Sequence, residues 1–225
     1  MMNEDVLSQS VAQSSTLATN KLIRNTYSLL SMTLIFSAMT AAASVYLSMP
    51  PMTYLICIGL AFVMMWLVLP RTANSGAGLG VTFAITGLMG FALGPILSMY
   101  LALPNGSSIV GLALGGTGTI FLGLSGYALM TRKDFSFMGG FLMVGMLTVL
   151  VAALANIFLQ MPALQIAISS VVIMIMSGFI LFDTSRMINN PQQTNYIMMT
   201  VSLYLNIFNI FVSLLQLLGI ASSDD

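Results

Sequence analysis

Asp183 is the only one of the chain's six acidic residues to fall inside a long apolar run, GFILFDTSRMI, and Arg186 follows it by three positions. On a helix that spacing puts both side chains on one face. Two readings stay open. The pair is an interfacial ion pair of small energetic weight, or Asp183 is a proton-sensitive latch, a carboxylate that loses its partners when protonated. A second group of polar residues lies further on, at Ser202, Asn206, Asn209, Ser213 and Gln216. Spacings of four, three, four and three place all five on one helical stripe. The stripe reads either as hydrogen-bonding glue between helices, worth about 1 kcal/mol or less per bond, or as one wall of a polar pathway. Asn156, in another apolar run, reads as glue.

Several chemistries are excluded by what the chain lacks. It has no histidine, so it has no imidazole base and no histidine metal ligand. Its single cysteine, Cys57, makes neither an internal disulfide nor a paired-thiol site and reads as an apolar packing residue. An intramembrane aspartyl protease needs two carboxylates at depth, and Asp183 is alone. Six basic against six acidic residues leave no phosphate-tracking surface, so nucleic acid is not a partner. Twenty methionines without clustering fill gaps rather than hold copper. The expectation is a protein that is not an enzyme and has no catalytic residues, metal or cofactor.

The elements that position these residues follow from composition. Of 225 residues 58% are apolar and 5% charged, where soluble domains carry about 25% charged. Mean hydropathy is +0.99. Too little charge is present to coat a water-soluble surface, and the predicted class is an all-α membrane protein. Seven apolar segments are long enough to cross roughly 30 Å of hydrocarbon: Tyr27–Met49, Met52–Leu69, Leu79–Leu103, Ser108–Met130, Phe137–Leu159, Ala163–Met187 and Tyr196–Ile220. None alternates with a period of two, which excludes barrel strands.

The breaks between spans alternate in kind. Three are short, uncharged and contain proline, around Pro50-Pro51, Pro104 and Pro162, and recur about every 55 residues, as three tandem helical hairpins plus a seventh helix would. The other three hold charge. All six basic residues, Lys21, Arg24, Arg71, Arg132, Lys133 and Arg186, fall on one side of this topology. That split predicts a cytoplasmic N-terminus and, after seven crossings, a C-terminus outside, periplasmic in a Gram-negative source. Residues 1–20 are polar and predicted to be a disordered cytoplasmic tail, with residues 21–225 forming the seven-span domain. The first span reads as a retained signal anchor. Gly111, Gly115, Thr119 and Gly123 form a small-xxx-small ladder that predicts close helix contact, as do Gly87, Gly90 and Gly94. Gly94-Pro95 predicts a kink in the third span.

Four stretches carry a family likeness: TGLMGFALGPILSMY, TRKDFSFMGGFLM, GFILFDTSRMI and the closing TVSLYLNIFNIFVSLLQLLGIASSDD. They resemble the Bax inhibitor-1 family, over about residues 20–225. KLIRNTYSLLS, ALGG, ANIFLQMPAL and TNYI are similar to its bacterial YccA-type branch.

The resemblance implies six helices wrapped around a central seventh, in the bacterial inner membrane. For the YccA type it implies an integral membrane regulator that binds the FtsH protease, with its membrane-bound companions, and restrains its degradation of membrane proteins. For other members it implies a pH-sensitive calcium leak governed by two aspartates, one ending the sixth helix and one in the seventh. Asp183 matches the first of these. The second falls on Asn206, in LYLNIFN, where the leak-type pattern has LYLD. An aspartate–asparagine pair does not share a proton as two carboxyls do, so the regulatory reading leads and the calcium leak is the alternative. Arg71 lies near the position of a basic residue that pairs with the sixth-helix aspartate in leak-type members.

Overall fold

The structure, a computed structural model, describes residues 2–222, with side chains from residue 17 onward. The tail expected over residues 1–20 falls largely outside the described side chains, and the terminal residues 223–225 fall outside altogether. Every described element is helical. The spans are α1 (Met2–Tyr46), α2 (Met52–Thr72), α3 (Ala77–Leu101), α4 (Gly106–Thr131), α5 (Met138–Leu159), α6 (Pro162–Asn189) and α7 (Tyr196–Ala221). Seven helices are thus long and apolar enough to span a membrane.

The observed ends differ from those read in the sequence, for local reasons. The helix α1 continues on the N-terminal side of Tyr27. Leu22, Thr26, Leu29 and Leu30 form a buried stripe there while Lys21 and Arg24 point outward, so the helix continues through charged residues without burying them. The helix α2 runs past Pro70 to Thr72. Proline has no amide hydrogen to give to the carbonyl four residues back. The helix adjusts through a π-turn at Met64–Val68, closed by Leu69 N donating to Met64 O. Pro95 lies inside an unbroken α3.

Two helices form the centre. Half of the apolar stretch of α3 and half of that of α7 are buried, against 17% in α2 and 11% in α5. The seventh helix packs against α1, α3, α4 and α6, whereas α2 lies on α3 and α5 on α6. The seventh helix is therefore central, with four neighbours touching it and two forming an outer layer. Large side chains of α2 and α5, such as Trp66 and Phe141, face outward, where a bilayer accepts them.

The tightest approach joins α1 and α3. A Cβ at Gly87 would lie 2.7 Å from Phe36 Cε1; at Gly90 it would overlap the Ser37 carbonyl oxygen, and at Gly94 the Ser44 side chain. Small residues are required here because backbone meets backbone. The glycine ladder on α4 behaves otherwise, which corrects the expectation of close contact. Gly111, Gly115 and Gly123 have nothing within 4 Å of an added Cβ, and Thr119 is exposed. The buried face of α4 is instead Ile109, Ala113, Thr117, Phe121, Ser125 and Ala128.

Candidate functional site

The sixth and seventh helices run antiparallel, and their polar residues meet close to the ends joined by residues 190–195. Ser202 Oγ donates to Asp183 Oδ2 at 2.6 Å, and Asn206 Nδ2 donates to the same oxygen at 3.0 Å. Asp183 is 3% exposed and Asn206 5%. The convergence follows from helix geometry. Ser202 and Asn206 are one turn apart on one face, and side chains on a helix lean toward its N-terminus. Asn206 therefore leans back toward the start of α7, while Asp183, on the opposing helix, leans deeper toward the start of α6. The two leanings close the gap between a residue six positions from the end of α6 and one ten positions into α7.

The neighbouring residues of α6 lock the same end of the bundle. Tyr27 Oη and the Thr184 hydroxyl are 3.3 Å apart, joining α1 to α6. Ser185 Oγ accepts from Phe135 N at 2.9 Å and donates to Lys133 O at 3.2 Å, pinning the loop between α4 and α5. Within that loop Asp134 accepts from Ser136 Oγ at 2.5 Å and Ser136 N at 2.8 Å, and the serine bonds hold its carboxyl below the usual carboxylate range. Asn195 caps α7 by accepting from Ile197 N and Met198 N, and its amide donates to Ala73 O and Asn74 Oδ1 beyond the end of α2.

The two arginines take other places. Arg71 Nη1 donates to Leu67 O of its own helix at 3.0 Å and is exposed. The guanidinium of Arg186 lies 5.8 Å from the centroid of the Phe182 ring. Neither supplies a hydrogen bond to Asp183 among the described residues, whose partners are Ser202 and Asn206.

The stripe on α7 divides into separate parts. Ser202 and Asn206 belong to Asp183. Asn209 Nδ2 turns back to Leu205 O of its own helix at 2.8 Å, and Ser213 is buried. Gln216 Oε1 accepts from Gln165 Nε2 and Ser169 Oγ, both at 2.8 Å, at the far end of α6. Asn156 Nδ2 donates to Gln165 Oε1 at 3.0 Å, so α5, α6 and α7 share one network. Gln165 and Ser169 were not singled out in the sequence, although their four-residue spacing would have marked them as a helix face. A third group was also missed. Tyr204 Oη pairs with Ser37 Oγ at 2.5 Å and donates to Thr86 O at 3.2 Å, joining α7 to α1 and α3. Gly94 belongs to the α1–α3 contact, and Pro95 follows it within α3; neither bonds to the Asp183 group.

Chemically, the Asp183 group offers one carboxylate with a hydroxyl and an amide. Among the described residues no three histidine, cysteine, aspartate or glutamate side chains gather to hold a metal ion. The arrangement fastens two helices through one carboxyl oxygen.

Comparison with known proteins gives this geometry a family. The model described as "Inhibitor of apoptosis-promoting Bax1" matches residues 19–223. A protein of Escherichia coli K12 named "Modulator of FtsH protease YccA" is 51% identical over 220 residues, covering 97% of this chain and 99% of its own. Its counterpart in E. coli O6:H1, equally identical, is named an inner membrane protein. An uncharacterised membrane protein of Vibrio cholerae is 48% identical over 224 residues and the full length of both chains. With seven spanning helices and a family match over nearly its whole length, the chain belongs to the Bax inhibitor-1 family.

Proposed function

We propose that the protein is an inner-membrane regulator that binds an FtsH-type protease and restrains its degradation of membrane proteins. The observation that carries this reading is the 51% identity, over nearly the entire chain, with the E. coli protein named a modulator of FtsH. The Asp183 group supports it, because the residue opposite the buried carboxylate is an amide that has no proton to share near neutral pH. In this reading the N-terminus and the basic loops face the cytoplasm, and residues 1–20 are the chain end offered to the protease. FtsH is the partner, together with its membrane-bound companions. The test is copurification of the tagged protein from detergent with FtsH probed in the eluate, alongside the half-life of a membrane substrate of FtsH. Coelution and a longer substrate half-life on overproduction are expected; failure of both overturns the proposal.

A further inference from the structure

A cleft of about 710 Å³ is walled by α1, α3, α4 and α7. It lies on the opposite side of α7 from the Asp183 group. Its α7 lining is Tyr204, Ile207, Phe208 and Phe211, whereas Ser202 and Asn206 face α6. Along α1 the lining runs from Leu34 to Tyr46, about 18 Å at the helical rise. That is close to one leaflet of a hydrocarbon core roughly 30 Å thick. The leaflet concerned is the one on the side of the proline-containing turns, because Tyr46 and Leu101 end α1 and α3 there.

The lining is almost wholly apolar, and its buried hydroxyls are bonded, Ser37 and Tyr204 to each other and Thr117 to Ala113 O of its own helix. Apolar cavities hold hydrocarbon rather than water. At its other end the cleft reaches the surface, where Tyr46 is 88% and Leu114 58% exposed. Those side chains belong to the outward apolar surface that the bilayer covers, so the cleft is continuous with the lipid interface.

Size selects the occupant. Spread over about 18 Å, 710 Å³ leaves a mean cross-section of about 40 Å². An α-helix with side chains, about 10 Å across, needs about 80 Å². A polymethylene chain, about 4 Å across by carbon contact distances, needs about 15 Å². A partner's transmembrane helix would also continue through the other leaflet, but there α1 and α4 approach through Tyr27 and Phe121, whose rings are 6.0 Å apart. We propose that this cleft is an acyl-chain site, taking one or two hydrocarbon chains of a lipid from the leaflet on the proline-turn side. The Tyr204–Ser37 hydroxyl pair marks its blind end.

The test uses the full chain alone, reconstituted at high dilution in phosphatidylcholine vesicles brominated along the acyl chain. Trp66, the single tryptophan, is 79% exposed and reports lipid contact directly. In a Trp66→Phe background, Phe211→Trp places a probe on the cleft wall where the native side chain is 7% exposed. Ile207→Trp is the second probe should the first fail to fold. Expected is quenching of the buried probe to within about twofold of that of Trp66. Adding Gly118→Leu and Ala42→Leu, whose side chains enter the cleft, should at least halve it. An unquenched probe overturns the proposal. So does quenching by aqueous iodide, which would mean water, or quenching that falls as the protein-to-lipid ratio rises, which would mean a second copy.

Discussion

Both hydrogen bonds to Asp183 land on Oδ2, one from a hydroxyl and one from an amide. Two carboxyls in this position would have to hold a proton between them, and their separation would then follow pH steeply. An amide opposite leaves one carboxyl to take up a proton, with no second acid to steepen the change. The natural sequence is therefore expected to show little change in calcium flux through liposomes between about pH 6 and pH 8. Asn206→Asp should create an acid-dependent flux, and Asp183→Asn in that variant should remove it. Steep acid-dependent flux from the natural sequence would promote the leak reading over the regulatory one. Ser202→Ala removes one charge-assisted bond while leaving Asn206 in place. Its expected cost is about 1–2 kcal/mol, read as a lowered unfolding midpoint in detergent.

Among the elements, glycine carries opposite meanings on α3 and α4. Gly90 lies where α1 and α3 nearly touch, so a larger side chain there must part the helices. Gly90→Leu is expected to destabilise by about 1–3 kcal/mol or more, since the obstacle is the Ser37 backbone rather than a movable side chain. Gly111→Leu, on the open face of α4, should be neutral or mildly stabilising, because leucine is the better helix former. Thermal unfolding of the two variants in the same detergent checks both. Equal losses would mean that the α4 face is covered in the assembled protein. The outer helices α2 and α5 have less to lose, since most of their surface meets lipid in any case.

For the whole molecule, orientation and accessibility are the quantities to measure. The basic residues gather on one side, and a reporter fused within 131–136 is expected to read cytoplasmic while one after Asp225 reads periplasmic. A cytoplasmic C-terminal reporter would require an even number of crossings. The protease reading adds a second expectation. An ATP-driven translocating protease begins on an accessible chain end. Deleting about residues 4–15 should therefore slow the protein's own turnover without unfolding the seven helices, measured as the half-life in a pulse chase. Unchanged turnover would move the point of engagement to another part of the molecule.

Composition alone determined the class: with 5% charge, nothing but a bilayer could surround these helices, and their number followed from apolar length. The period of the polar residues on α7 likewise marked an interior face, because spacing on a helix fixes direction. What the sequence could not decide was which helix that face would meet. The single stripe became a serine and an asparagine bonded to Asp183 at one end, a self-bonded asparagine in the middle and a glutamine network at the other end. Arg71 was expected near Asp183 but bonds to its own backbone. The glycine ladder on α4 looked like a contact surface and faces outward, while the equally small face of α3 is pressed against α1. These outcomes depend on rotation and depth of one helix against another. Only packed side chains set those two quantities, since within a bilayer lipid is as good an apolar neighbour as protein.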